Sequence, residues 1–338
     1  MTDCLRLTAY LGERQRTNSR FATDEILDLY TRRQVATSVV LRGIAGFGVR
    51  HVLRTDQSLS LSEDPPVVIA AVDTPDVIDM LAGDVTALMP RGLLTLEPAV
   101  LLDGPAVQAG SGSVRLTVSL GRNRRIDGVP AFRLVCDLLY RNHFAGASTF
   151  VGVDGTAHGE RRRARFFSRN LDVPLVVVAV GTAEQAQAVL PALHAALEDP
   201  LITVEPEQLC KRSGTLLAHP EVLPPNSTAW QKLMVQTSES TLHDGVPIHR
   251  ALIRRLRQSR SANGATVLRG IWGFHGDHAP NGDELIQFGR QVPVTTVIVD
   301  TADNIRRSFA IADELTAEHG LVSCQSVPAR VILGEHHR

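Results

Sequence analysis

The feature that most limits what this chain can fold into is that it repeats itself. LRGIAGF at 41–47 returns as LRGIWGF at 268–274, 227 positions later. The segment that follows keeps the same offset, from Pro66 to Pro293 and from Asp73-Thr74 to Asp300-Thr301. A weaker copy lies between them. DGVPAFR at 127–133 matches DGVPIHR at 244–250, and LITVEP at 201–206 matches LLTLEP at 93–98. Ordered self-similarity of this kind marks one structural unit used several times. The units fall at 1–104, 113–208 and 229–334, the middle one divergent. Between them, DGPAVQAGSGS at 103–113 and the stretch 207–229 with its PPNST read as flexible or extended linkers.

Every copy spells the same series of elements. A short alternating strand (LTAYL at 7–11, LTVSL at 116–120, LMVQT at 233–237) precedes a helix with apolar positions three and four apart. In the middle copy these are Phe132, Val135, Cys136 and Leu139; in the last, Ile248, Leu252, Ile253 and Leu256. A second strand enters a Gly-rich segment, and a long loop, a third strand, a second helix and a last strand follow. The second helices start at Thr74, Thr182 and Thr301, with Pro75 suited to a first helical position and Gln185 placed to close a capping box. VVIAAV at 67–72 and LVVVAV at 175–180 are continuous apolar runs, which implies burial on both faces. In a βαββαβ unit both helices cover one sheet face and leave the other bare. The expected fold is therefore α+β: three tandem ferredoxin-like βαββαβ units whose bare faces close on one another as a monomeric single-chain pseudo-trimer.

Charge and composition narrow the function. Thirty-five Lys and Arg against 36 Asp and Glu leave no global field to draw nucleic acid, so no nucleic-acid partner is expected and any anion site must be local. Cys4, Cys136, Cys210 and Cys324 are scattered without a CxxC pair, which reads as reduced buried thiols rather than a disulfide or thiolate-metal framework. No apolar run approaches the ~20 residues of a membrane span, and a cytoplasmic protein is expected.

RGIAGFG at 42–48, a loop, and then LSEDPPVVIAAVD at 61–73 resemble the PII-like family of domain of unknown function 190, as does LGERQR at 11–16. The resemblance implies a ferredoxin-like subunit, threefold assembly and effector clefts between subunits. It also implies second-to-third strand loops, here 49–63, 160–172 and 277–291, that engage a protein partner such as a membrane transporter. The connection that holds nucleotide phosphates in PII proteins proper is short here, at MPRG 89–92, EDP 198–200 and EHG 318–320. The middle copy carries GVDGTAH at 152–158 in place of the RGIxGF pattern, so its cleft is expected to differ.

The candidate effector residues are Arg42, Gly43, Gly46 and Gly48 with Arg269, Gly270, Gly273, His275 and Gly276. Glycines let backbone N–H groups approach an anion, and the arginines add charge. The same glycines equally suit a bend or bulge where a strand leaves its sheet, and Phe47 and Phe274 suit a core. Arg161, Arg162, Arg163 and Arg165 surround Phe166 and Phe167 in the middle loop, suited to an acidic partner or phosphorylated ligand, or to plain solvation. His275, Asp277 and His278 are too little to define a metal site, so no metal, cofactor or catalytic residue is assigned. The expected function is a regulatory protein that binds a small anionic or nucleotide effector, without catalysis. The alternatives are a small enzyme acting on a phosphate- or carboxylate-bearing substrate in one divergent cleft, or a scaffold that has lost its ligand.

Overall fold

The computed structural model describes all residues of the chain except 1, 18, 56–63, 103–111, 158–159, 162–172, 199, 225–226, 228, 277, 283–290 and 333–338. Repeat one runs β1 (Thr2–Gly12), α1 (Ala22–Arg32), β2 (Thr37–Phe47), β3 (Pro66–Asp73), α2 (Pro75–Leu88) and β4 (Gly92–Leu101). Repeat two runs β5 (Ser113–Gly121), α3 (Ala131–Arg141), β6 (Gly146–Val151), β7 (Asp154–Ala157), β8 (Pro174–Thr182), α4 (Ala183–Ala196) and β9 (Leu201–Pro206). After β10 (Gln208–Arg212), repeat three runs β11 (Trp230–Ser238), α5 (Ile248–Ser259), β12 (Ala265–Arg269), β13 (Trp272–His275), β14 (Pro293–Asp300), α6 (Ala302–Leu315) and β15 (Leu321–Val327). It ends in β16 (Ala329–Ile332).

Within each repeat the first strand lies between the third and the fourth, and the second strand flanks the third. Repeat one thus pairs β2–β3, β3–β1 and β1–β4, all antiparallel. Repeats two and three repeat the scheme, as β6–β8–β5–β9 and β12–β14–β11–β15. Two helices lie over one face of each sheet, and three separate cores form there, around Ile26 and Ile69, around Val135 and Val177, and around Leu252 and Ile298. The opposite faces supply a further core shared by all three repeats: Val39, Leu41 and Val68 meet Phe150 and Val176, and both meet Met234, Leu268 and Val297. The runs 67–72 and 175–180 are buried on both sides for this reason.

The repeats are stitched at both sheet edges, and in a fixed rotation. The far half of each second strand leaves its own sheet and pairs with the near half of another copy's second strand: β2 with β12, β7 with β2, and β13 with β6. At the opposite edge each last strand or its extension pairs with the next copy: β4 with β9, β10 with β15, and β16 with β4. The stretch 207–229, expected as a flexible or extended linker, begins as extended strand: Gln208–Arg212 completes the sheet of repeat three and turns back through Ser213 and Gly214, both with positive φ. Six helices are described, and among the described residues none is long and apolar enough to cross a membrane.

Candidate functional site

The Gly-rich segments are the crossings. A Cβ on Gly43 would stand 2.7 Å from Pro66 Cγ and 3.1 Å from Val267 O; one on Gly46 would stand 2.6 Å from Ala265 O. Gly270 faces Pro293 and Thr149 O in the same way, and Gly273 faces Ala147 O. The middle copy does the same with Gly152, facing Pro174, and Gly155, facing Ser38 O. GIAG, GVDG and GIWG are therefore one GxxG device: the middle copy replaces the rest of the RGIxGF pattern as expected but keeps its two glycines. The spacing of Gly152 and Gly155 was the available signal. The strand bulges between Gly43 and Ala45 where it changes sheet.

Three of the glycine N–H groups at the crossings are spent on backbone carbonyls. Gly270 N donates to Pro293 O at 2.7 Å, Gly276 N to Ala145 O at 2.9 Å, and Gly152 N to Pro174 O at 2.7 Å. Ladder geometry consumes them. Gly48 closes a turn with His51, and Gly276 adopts a left-handed φ of 64° against Ser213. Beyond the crossings, Phe47 enters the core of repeat three, while Trp272 and Phe274 enter that of repeat two, Phe274 meeting Tyr140 edge-on at 5.3 Å. Each aromatic anchors its strand in a neighbouring copy.

Arg42 and Arg269 sit where β2 and β12 enter their crossings, and both face a carboxylate of the turn after the first strand. Arg42 lies 2.9 Å from Glu13, and Arg269 lies 2.8 Å from Glu239. Glu13 N and Glu239 N in turn donate to Pro65 O and Val292 O, both at 2.9 Å. The middle copy has Val151 and Arg122 at these places and lacks the pair. Around Arg269 the polar groups are under-used: among the described residues Arg269 Nε and Nη2, Glu239 Oε2 and His249 Nδ1 find no aligned hydrogen-bond partner. Burial, with the charges of Arg250 and Arg269, pushes His249 down to about 4. His275, on β13, is also pushed down by burial and by His278 and His319. Among the described residues no group of three His, Cys, Asp or Glu could hold a metal, and Asp277 lies outside them.

Arg161, expected to await an acidic partner, finds one inside the chain. It reaches Asp24 at 2.7 Å and Asp28 at 2.6 Å on α1 of repeat one, and Asp154 of its own crossing at 2.8 Å. Arg162, Arg163 and Arg165 lie outside the described residues, as does most of the loop 160–172.

A second constellation was missed in the sequence. Arg6, Arg115 and Lys232 each precede the matching leucine of a first strand, and Glu97, Glu205 and Gln325 stand directly opposite them on the last strands. The bare sheet faces carry these residues into the middle of the molecule, where Glu97 and Glu205 are fully buried and Arg115 is 3% exposed. Arg115 donates to Glu205 of its own repeat, to Glu97 of repeat one at 2.8 Å and to Gln325 of repeat three at 2.9 Å. Lys232 donates to Glu97 at 2.5 Å and Arg6 to Glu205 at 2.6 Å. Burial works against ionisation of Glu97 and Glu205, yet Lys232, Arg115 and Arg6 hold both below the usual carboxylate range. Gln325 leaves one acid missing, and Glu207, 3.4 Å from Arg115, restores three against three. The signal was a basic residue at one fixed place in three aligned strands. It went unread because a charge in an alternating strand normally faces solvent.

The family model of domain of unknown function 190, described as Uncharacterized ACR, COG1993, matches three times, over residues 4–101, 113–209 and 230–329. A UPF0166 protein of Aquifex aeolicus is 30% identical over 96 residues, which are 28% of this chain and 88% of that protein, so the relative has room for one such unit. Among solved structures, aspartate kinase from Synechocystis aligns over 97% of this chain and 44% of its own, with 11% identity and a TM-score of 0.25. The chain spans less than half of that protein's length, and the superposition is too loose to carry a fold or a function.

Proposed function

The chain belongs to the family of domain of unknown function 190 along most of its length, and from that premise we propose that it is a PII-like regulatory protein. In this reading three ferredoxin-like units form a single-chain pseudo-trimer. The rotating strand exchange and the core common to all three repeats support it. The protein acts by binding rather than turnover. A small anionic or nucleotide effector enters where a crossing begins, and the second-to-third strand loops carry the response to a partner.

The observation that carries this reading is the arginine–glutamate latch beside each outer crossing. Arg269 sits on the strand that becomes repeat two's neighbour, and Glu239 on the turn of repeat three. Its unaligned donors, with His249 beside them, are charge without committed hydrogen bonds. A phosphate or carboxylate accepts from guanidinium in a bidentate fork that a poorly aligned Glu239 does not match. An anion taking Arg269 would release Glu239, freeing the turn from the crossing. Arg42 and Glu13 form the same latch in repeat one, and the middle repeat, with Val151 and Arg122, has none. Two responsive clefts in three follow.

Calorimetric titration with ATP, ADP, cyclic AMP, S-adenosylmethionine and bicarbonate tests this. One of them is expected to bind, with Arg269→Ala weakening it by at least about tenfold and Glu239→Gln tightening it by removing the internal competitor. No heat with any of the five, or indifference to both substitutions, sinks the reading.

A further inference from the structure

At one end of the buried charge cluster opens a cavity of about 470 Å³. It lies mostly between repeats two and three, and its polar lining includes Glu207, Gln208, Glu221, Gln231, Gln325 and Ser326. None of the lining residues is basic. Glu207 is 5% exposed, and neither of its carboxylate oxygens has a hydrogen-bond partner among the described residues. Its nearest cation, Arg115, stands 3.4 Å away with its other donors already given to Glu205, Glu97 and Gln325. A buried carboxylate with unused lone pairs costs stability unless something donates to them. Burial pushes the Glu207 carboxyl up, against the pull of Arg115, of Lys232 and of the Ser323 hydroxyl beside it.

The rim is fixed. Glu221 N donates to Gln208 Oε1 at 3.0 Å, and Gln231 Nε2 donates to Glu221 O at 2.8 Å, so the strap after β10 is held over the opening and the exposed Glu221 carboxylate stays at the mouth. We propose that this cavity binds a small organic cation with a primary ammonium or guanidinium head, anchored by Glu207 and attracted by Glu221. A bare metal ion fits the lining poorly, because the space is far larger than an ion and among the described residues no three His, Cys, Asp or Glu gather to hold one. An ammonium brings three donors and a guanidinium five, which match the unused oxygens of Glu207 and the amide oxygens beside it. Ala99 and Val327 occupy the place of Glu207 in the other repeats, so the site exists once per chain.

The full chain is titrated calorimetrically with putrescine and with methylguanidinium, and with inorganic phosphate for comparison. One of the two cations is expected to bind at one per chain, and phosphate not to bind here. Glu207→Gln is expected to weaken the cation by at least about tenfold. Ser326→Phe, which fills the mouth without touching the charge cluster, is expected to abolish binding and decides the matter if the Glu207 variant fails to fold. Arg269→Ala is expected to leave cation binding unchanged, which separates this site from the anion clefts. Absence of heat with both cations, binding at three per chain, or affinity untouched by both cavity variants would overturn the proposal and leave Glu207 as the third counter-charge of the cluster.

Discussion

His249 carries one consequence of burial that can be measured. Its imidazole is 4% exposed, lies beside Arg250 and Arg269, and is pushed down to about 4 from an ordinary 6.5. Because the folded value lies below the unfolded one, the unfolded chain binds the proton first. Stability is whole above pH 6.5 and is lost as pH falls from 6.5 toward 4, by up to about 3 kcal/mol. Urea unfolding followed at pH 7 and pH 5 should show about 2 kcal/mol of that loss in the wild type and a smaller one in His249→Gln. Three of the buried thiols are a complementary case: burial pushes Cys136 and Cys210 up to about 12 and Cys324 higher still, which keeps them protonated and inert. Their burial was legible from scattered single cysteines. The partners of Arg161 were not, because Asp24 and Asp28 belong to another repeat and no spacing within one unit reports them.

Element boundaries show where local sequence suffices. Thr182 accepts from Gln185 N, and Gln185 reaches back to Thr182 N at 2.8 Å, so the expected capping box of α4 is present. Thr74 and Thr301 start their helices without a side-chain cap bond, and the preceding aspartates do the tying instead. Asp73 accepts from Thr74 N at 2.7 Å and from Ala36 N at 2.8 Å, and Asp300 accepts from Thr301 N at 2.8 Å and from Asn263 N at 2.6 Å. Repeat two has Gly181 there because Phe144 and Gln185 fill the space a Cβ would need. Thr182→Ala should therefore cost about 1 kcal/mol, and Thr74→Ala measurably less, in parallel thermal melts. Strand order and helix starts were legible because they rest on periodicity and on neighbours a few residues apart. The segment after Pro206 was not, since Gln208–Arg212 becomes a strand only by finding β15, more than a hundred residues onward.

Across the molecule the buried charge cluster decides how three sheets meet. Arg115 touches carboxylates or amides from every repeat, so Arg115→Met would leave Glu97, Glu205 and Glu207 with two cations among them. Removing one partner of such a group is expected to cost about 3–5 kcal/mol, read as a lowered urea midpoint. Light scattering should find the intact chain as one compact particle near 36.7 kDa, and an extended or self-associating chain would argue against closure. The rotating exchange of strand edges also bears on how the protein comes into being. The edge of β4 waits for Ala329–Ile332, the last strand described. At roughly 5–20 residues per second of synthesis, the first repeat stands with open edges for roughly tens of seconds, exposed to pairing with other nascent chains. The hazard of this architecture falls on the ribosome-bound chain, before the described edge of β4 has found its partner.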